Sequence, residues 1–198
     1  MQEEGKWNCG LKKIIKSTCV IGVCAANSGT GKTTLIEKLI PQLINKGLVV
    51  SVIKHAHHKF DIDTPGKDSF RLRESGAHQT LIFNNHRSAL ITENVKNTFN
   101  IEQAIIQISS DADIILIEGL KNMNFPKIEI HRKEISKEIL CKKDPNIIAF
   151  ISDLLVDIKI PSFDINDINS IVNFIVEYKN SYGGDDPFDY LETCEGCI

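Results

Sequence analysis

The hydrophobic positions of this 198-residue chain fall into short apolar runs that alternate with amphipathic stretches. The runs at 19–25, 48–53, 114–117 and 146–151 are rich in β-branched residues, which is typical of strands buried on both faces of a sheet. Residues 127–131 alternate between polar and apolar positions, as a strand does. Strands separated by helical stretches predict an α/β fold with a mainly parallel sheet. Two further short strands, around a polar turn at 84–87, are predicted at 79–83 and 88–92.

Helical spacing of the apolar residues is found in three places. It predicts a first helix from about residue 35 that Gly47 closes, a second over 101–108 and a last one over about 167–178. Pro41 lies inside the first of these, so we expect a kink or a division into two shorter helices.

Length and composition indicate a globular domain. A hydrophobic fraction of 42% and a charged fraction of 25% are ordinary values for a packed protein. We expect one domain at 17–180, between a polar N-terminal extension at 1–16 and an acidic C-terminal tail at 181–198.

The charge balance argues against two classes of partner. A net charge of −3 provides no basic field for nucleic acid, and no apolar run approaches the length of a membrane span. Because the first residues are acidic where a signal peptide would be basic, we expect a cytoplasmic protein with reduced thiols. Cys19 and Cys24, inside an apolar run, are expected to be buried and inert.

Residues 28–35, Ser-Gly-Thr-Gly-Lys-Thr-Thr-Leu, have the pattern of a phosphate-binding loop between a strand and a helix. Glycines let the backbone approach a phosphate, and the amides at the helix N-terminus supply partial positive charge. Lys32 is expected to reach the outer phosphates, and Thr33 to bind Mg²⁺ through its hydroxyl. The pattern expects glycine where Ala26 stands, but alanine is the smallest replacement. The predicted nucleotide-binding residues here are Asn27, Ser28, Gly29, Thr30, Gly31, Lys32, Thr33 and Thr34.

A carboxylate is needed opposite a phosphate loop to hold Mg²⁺. Glu118 follows an apolar strand, and the carboxyl ends of parallel strands share one edge of the sheet with the phosphate loop. Asp113 begins the same strand and therefore falls at the opposite edge. We assign a metal role to Glu118 together with Thr33, and catalytic roles to Glu118 and Lys32. The alternative is that Glu118 only caps a turn.

The segment 54–73 is densely polar and starts at the carboxyl end of a strand, so we expect it over the phosphate site. Asp61 and Asp63 are candidates for Mg²⁺ or its waters, and Asp63 is included among the predicted metal ligands. The histidines lack the cysteine set of a zinc site, so we expect them to be solvated or to contact substrate. They are His55, His57 and His58. The candidates for phosphate contact are Lys54, Lys67, Arg71 and Arg73. For the two arginines, a plain helix surface is the alternative.

Together these segments resemble the MobB family of molybdopterin-guanine dinucleotide biosynthesis adaptor proteins. The resemblance covers about residues 18–178. Its most specific part is Ile-Lys-His-Ala-His-His at 53–58 with Asp-Ile-Asp-Thr-Pro-Gly-Lys-Asp-Ser at 61–69. The other matching stretches are the phosphate loop, Gly76-Ala77, Leu-Ile-Glu-Gly-Leu-Lys at 116–121 and Pro126-Lys127.

The resemblance implies a three-layer P-loop NTPase fold related to dethiobiotin synthetase. It also implies GTP and Mg²⁺ as ligands, weak hydrolysis, a homodimer, and association with the MobA-type guanylyltransferase that attaches GMP to molybdopterin. By position it makes Glu118 the Mg²⁺ or water-positioning acid. The basic residues of 54–73 are candidates for the anionic molybdopterin phosphate, a contact that the sequence does not distinguish from nucleotide contact. The phosphate site that it implies consists of Gly29, Gly31, Lys32, Thr33 and Thr34.

Several questions stay open at the level of sequence. The N-K-x-D signature of many GTPases is absent, and Asp153 is the candidate for guanine because a carboxylate accepts from its N1 and N2 donors; a turn-forming aspartate is the alternative. Neither a glutamine beside Glu118 nor an aimed arginine finger is evident, which predicts slow turnover.

Two alternative functions stay open for the chain. One is an ATP-dependent small-molecule kinase or ligase, and the other is an interaction protein with a vestigial nucleotide site.

The C-terminal tail carries a Cys-x-x-Cys pair at Cys194 and Cys197. One pair supplies half of a structural zinc site, which two tails of a dimer could complete. A redox dithiol and a mobile acidic tail are the alternatives, and we favour the mobile tail.

Overall fold

The computed structural model describes residues 18–56, 60–94, 99–154 and 156–181. The extension at 1–16, the Cys-x-x-Cys pair, His57 and His58 lie outside the described residues. The chain divides into two compact units, of which the first comprises residues 1–55 and 104–198 and the second residues 56–103.

The first unit is built on a six-stranded sheet in which every neighbouring pair of strands is parallel. Its strands are β1 (Cys19–Cys24), β2 (Val50–Lys54), β5 (Ile114–Glu118), β6 (Lys127–His131), β7 (Ile147–Ser152) and β8 (Ser162–Asp164). They lie in the order β2-β5-β1-β6-β7-β8, so β1 is flanked by β5 on one side and β6 on the other. The predicted α/β fold with a parallel sheet is confirmed.

Two 14-residue helices of the first unit, α1 (Lys32–Asn45) and α4 (Ile168–Ser181), contact each other and pack on the same core. Of the two alternatives expected at Pro41, a kink or a division, the division does not occur, because α1 runs through Pro41 as one helix. Proline cannot donate to the carbonyl four residues earlier, which belongs to Glu37, and both residues are exposed, so that water can take the place of the missing donor. α3 (Ile101–Ile108) spans the division between the units, and a short 3₁₀ helix covers Leu140–Lys142. No helix in the described part of the chain is long and apolar enough to cross a membrane.

The central strands bury both of their faces. On the face towards α1 and α4, apolar side chains of β1, β5, β6 and β7 form the main core. On the other face Phe125 lies on Gly22, where a Cβ would come within 2.3 Å of the Phe125 ring, so only glycine fits there. Cys19 and Cys24 are buried, as predicted, and burial raises the pKa of both thiols to about 12.

The second face of β6 carries three polar side chains, and all are buried. Lys127 Nζ lies 2.8 Å from a carboxylate oxygen of Asp144 and also donates to the Met123 carbonyl. The partners of Glu129 are the main-chain N–H groups of Leu140 and Cys141, both at 2.8 Å. Those of His131 are Ser152 Oγ at 3.1 Å and the Ser136 carbonyl oxygen at 3.0 Å. Because each charge or ring nitrogen is paired, the buried polar face is compatible with a stable sheet.

The second unit contains α2 (Asp68–Glu74) and an antiparallel hairpin of β3 (Gln79–Phe83) and β4 (Ser88–Thr92). Asn84 shapes the turn, since its Oδ1 accepts from the main-chain N–H groups of the residues two and three positions later. The predicted hairpin, with its turn at 84–87, is confirmed.

Candidate nucleotide-binding site

The phosphate loop and Glu118 lie at the same edge of the parallel sheet. Val23, just before the loop, pairs in register with Glu118 on the neighbouring β5. Asp113 lies at the other edge, where its carboxylate accepts from the main-chain N–H of Val49 at 2.8 Å. Both placements are as predicted, because the carboxyl ends of parallel strands meet at one edge.

The loop has the backbone conformation that its glycines allow. Gly29 and Gly31 have φ angles of +75° and +105°, in the left-handed region that favours glycine. The Thr30 hydroxyl donates to the Asn27 carbonyl at 2.8 Å, which closes the loop. Among the described residues no side chain caps the N-terminus of α1 at Gly31. The first amides of α1 are therefore suited to bind an anion, which is the chemistry predicted for this loop.

Thr33 and Glu118 meet beside the loop. The Thr33 hydroxyl donates to one carboxylate oxygen of Glu118 at 2.7 Å, and Lys54 Nζ lies 3.4 Å from the other. Neighbouring oxygens around an octahedral Mg²⁺ stand about 2.9 Å apart, since each lies about 2.0–2.1 Å from the ion. The two oxygens therefore have the spacing of neighbouring Mg²⁺ ligands, and these side chains would hold the ion, whose binding stays a prediction. In the described residues no group of three or more His, Cys, Asp or Glu could hold a metal by itself.

Two cationic side chains hold the loop from outside. Lys121 Nζ donates to the Ala26 carbonyl at 3.1 Å, and Arg132 Nε donates to the Thr30 carbonyl at 3.1 Å. Lys121 belongs to a stretch that sequence reasoning matched, but the role of Arg132 was missed. The signal that could have found it is the position of Arg132 directly after β6, once β6 is known to neighbour β1.

Asp153, the predicted guanine contact, joins the ends of β6 and β7. Its Oδ1 accepts from the main-chain N–H of Lys133 at 3.1 Å, and its Oδ2 lies 4.0 Å from a terminal nitrogen of Arg132. These contacts give the carboxylate a structural function at the edge of the sheet. Contact with guanine stays a prediction.

The acids predicted for Mg²⁺ in the segment 54–73 surround Arg73 within the second unit. Arg73, whose side chain is only 11% exposed, binds Asp61 at 2.7 Å and Glu93 at 2.9 Å. The main-chain N–H of Asp63, and then Arg73, lower the pKa of the Asp61 carboxyl. Asp63 accepts from the Ser69 hydroxyl at 2.9 Å, and its other oxygen lies 4.0 Å from Arg73 Nε. Arg73 therefore organises this unit, and metal binding by Asp63 stays a prediction.

The chain was compared with known proteins. A family model described as "MobB: Molybdopterin guanine dinucleotide synthesis protein B" matches residues 20–153. The molybdopterin-guanine dinucleotide biosynthesis adapter protein of Escherichia coli (strain K12) is 39% identical over 169 residues, which is 81% of this chain and 93% of that relative. The chain belongs to the MobB family. The molybdopterin-guanine dinucleotide biosynthesis adapter protein of Haemophilus influenzae is also 39% identical, over 79% of this chain and 88% of its own length.

Solved MobB structures share the fold. A crystal structure of molybdopterin-guanine biosynthesis protein B superimposes with a TM-score of 0.63 at 24% identity, over 80% of this chain and 98% of that one. The crystal structure of Bacillus subtilis MobB superimposes with a TM-score of 0.62 at 24% identity, over 80% of this chain and 96% of that one. The α/β P-loop architecture expected from the resemblance is thereby confirmed.

Proposed function

We propose that this MobB-family chain is a GTP-binding adapter in molybdopterin-guanine dinucleotide formation. In this proposal it assists a MobA-type guanylyltransferase that attaches GMP to molybdopterin. The observation that carries the nucleotide part is the 2.7 Å contact between Thr33 and Glu118 beside an uncapped helix N-terminus. The adapter role is supported by the names of the chain's relatives, which are adapter proteins of this biosynthesis.

Each part of the site has a separate task in binding GTP. The amides of the loop and Lys32 offset the negative charge of the outer phosphates. Thr33 and Glu118 hold Mg²⁺, which when bound neutralises further phosphate charge. Glu118 also orients water. Lys54 Nζ, at 3.4 Å from Glu118, pairs with that carboxylate and holds it directed at the loop.

Slow hydrolysis is part of the proposal. Arg132 contacts the loop, but its Nε donates to the Thr30 carbonyl and is not directed at the outer phosphates. Without a finger to stabilise the transition state, a P-loop site turns over slowly. We therefore propose a role as adapter rather than catalyst; GTP cleavage at about 1–100 per second, as in kinases, would contradict it.

The hairpin of the second unit supports a homodimer. Leu81 and Phe83 share one face of β3 with Leu90 opposite Leu81, and Leu81 and Phe83 are 60% and 75% exposed. A two-stranded hairpin is marginal alone and needs a cover for its apolar face. We propose that a second copy of this chain supplies it.

The remaining assignments concern ligand and location. We propose that the protein acts in the cytoplasm, without nucleic acid or membrane as partner, in accord with its net charge of −3. Exposed basic residues are the candidate contacts for the molybdopterin phosphate, and these include Lys67 and Arg71.

The test is a reconstituted guanylyltransferase reaction that measures molybdopterin-guanine dinucleotide formed per minute. Wild-type protein is expected to increase this rate, and Lys32→Ala to abolish the increase. A matched Lys46→Ala variant, at the far end of α1, should act like wild type. If wild type and Lys32→Ala stimulate equally, the nucleotide site has no part in the function. If neither stimulates, the adapter role is wrong.

A further inference from the structure

A pocket adjoins the phosphate loop on the side away from Glu118. It is a cleft open to solvent. Its apolar floor consists of Leu35, Ile130 and Ile165. Its rim is formed by Gly31 and the polar side chains of Thr34, Lys38, Arg132 and Asn166.

The sheet order fixes which part of a nucleotide this pocket can receive. The metal pair Thr33 and Glu118 lies on the β5 side of β1, whereas Ile130 and Arg132 belong to the β6 side. A nucleotide whose outer phosphates lie at the metal pair can extend its nucleoside away from β5. The space on that other side of the loop is this pocket.

The walls of the pocket are held in place by contacts of their own. Arg132 is fixed on the Thr30 carbonyl, and the main-chain N–H of Ile165 donates to the Ser152 carbonyl at 3.1 Å. The main-chain N–H of Asn166 donates to the Asp164 carboxylate at 2.7 Å. The pocket is thus preformed by β6, β7 and the loop before α4, so a ligand bears little ordering cost.

We propose that this pocket is the nucleoside subsite and that Lys38 selects guanine over adenine, an inference that rests on the proposed GTP binding. Lys38 and Thr34 lie four residues apart on the same face of α1, so both face the pocket. The lining contains two cations and no carboxylate, which suits a ligand edge rich in acceptors. Guanine presents two acceptors, O6 and N7, where adenine replaces one by an amino donor. An ammonium group donates only, so it favours guanine.

The other two polar side chains complete a base site. Asn166 carries both an amide donor and an acceptor for the edge of a planar base. The guanidinium of Arg132 is planar and suited to stack on it. In this proposal Lys38 supplies the selectivity, whereas Asp153, whose Oδ1 accepts from the main-chain N–H of Lys133, stays a predicted guanine contact.

The experiment is calorimetric titration of the full chain with GTP, ATP and inorganic triphosphate in the presence of Mg²⁺. Lys38→Met is expected to lower GTP affinity about tenfold and to leave ATP and triphosphate within about twofold. Lys38→Arg, which keeps the donors, should retain the preference for GTP. The control is Lys46→Met at the C-terminal end of the same helix, outside the pocket, where no affinity should change.

Three outcomes would overturn the inference. If Lys38→Met binds GTP like wild type, Lys38 does not read the base. If GTP and triphosphate affinities fall equally, Lys38 contacts a phosphate and the pocket is an anion site. If wild type binds triphosphate but not GTP or ATP any tighter, the pocket holds no nucleoside. In contrast, a wild-type protein that binds none of the three contradicts the proposed function itself.

Discussion

At the scale of single residues, the site depends on a few polar contacts between distant parts of the chain. Thr33 and Glu118 are 85 positions apart, yet their oxygens lie 2.7 Å from each other. Directly after Glu118 the backbone turns sharply, with Gly119 at φ +109° and Leu120 at +54°. Because a non-glycine residue seldom adopts a positive φ, this turn is a position of local strain beside the metal pair.

Replacing Glu118 by Gln tests the role of its charge. The amide keeps an oxygen for the Thr33 hydroxyl but removes the charge that Mg²⁺ requires. We expect GTP affinity in Mg²⁺ to fall by about tenfold or more, in line with the loss of a charged ligand. The measurement is fluorescent GTP titration with and without Mg²⁺.

The control for this substitution is Asp113→Asn, which removes a charge at the opposite end of the same strand. Asparagine keeps an acceptor for the Val49 amide, so the Mg²⁺-dependent affinity should stay within about twofold of wild type. Equal affinities for Glu118→Gln and wild type would show that Glu118 does not hold the metal.

Site residues that belong to a contiguous motif, or that end a recognisable strand, could be predicted from the sequence. Lys32 and Thr33 stand in a contiguous motif, and Glu118 follows a strand whose end is readable. Arg132 could not be found in this way, because its partner Thr30 lies 102 positions earlier and the two meet only through the order of the strands. The contact depends on tertiary structure, which no local pattern contains.

At the scale of elements, β6 differs most from what its pattern indicates. Alternation of polar and apolar residues commonly marks a strand with one face in water. Here Lys127 and Glu129 are fully buried, and each has its counter-group in the segment 140–144. The polar face thus fixes that segment on the sheet instead of facing solvent.

Removing Lys127 should destabilise the fold. In Lys127→Met the Asp144 carboxylate loses its ion pair, and we expect the free energy of unfolding to fall by about 2–4 kcal/mol. Lys143→Met is the matched control, since Lys143 pairs with Glu138 at 3.2 Å on the surface; its effect should stay within about 0.5 kcal/mol. Urea denaturation measures both, and equal effects would mean that the buried pair contributes no more than the exposed one.

Strands with an apolar or alternating run of about five residues or more were predictable, whereas the three-residue elements were not. The strand predicted at 48–53 is found at Val50–Lys54, and that at 146–151 is found at Ile147–Ser152. The three-residue β8 was missed because it forms at the sheet edge without an apolar run of its own. The short 3₁₀ helix was missed for a similar reason, since the Glu129 carboxylate, rather than its own sequence, satisfies its first amides.

At the scale of the whole molecule, the apolar hairpin predicts the oligomeric state. We expect wild type to sediment as a dimer and the double variant Leu81→Asp/Phe83→Asp to sediment as a monomer, because buried charges oppose association. Leu72→Asp alters an equally exposed apolar residue of α2 and should leave the dimer intact. A monomeric wild type, or a dimeric double variant, would contradict association through this face.

The central claim is that the phosphate loop binds GTP together with Mg²⁺. The most direct measurement is equilibrium binding of fluorescent GTP and ATP, with and without Mg²⁺, to wild type and to Lys32→Ala. We predict that wild type prefers GTP, that binding strengthens with Mg²⁺, and that Lys32→Ala loses it. Preference for ATP would favour a small-molecule kinase or ligase, and binding that Lys32→Ala retains would contradict the site described above.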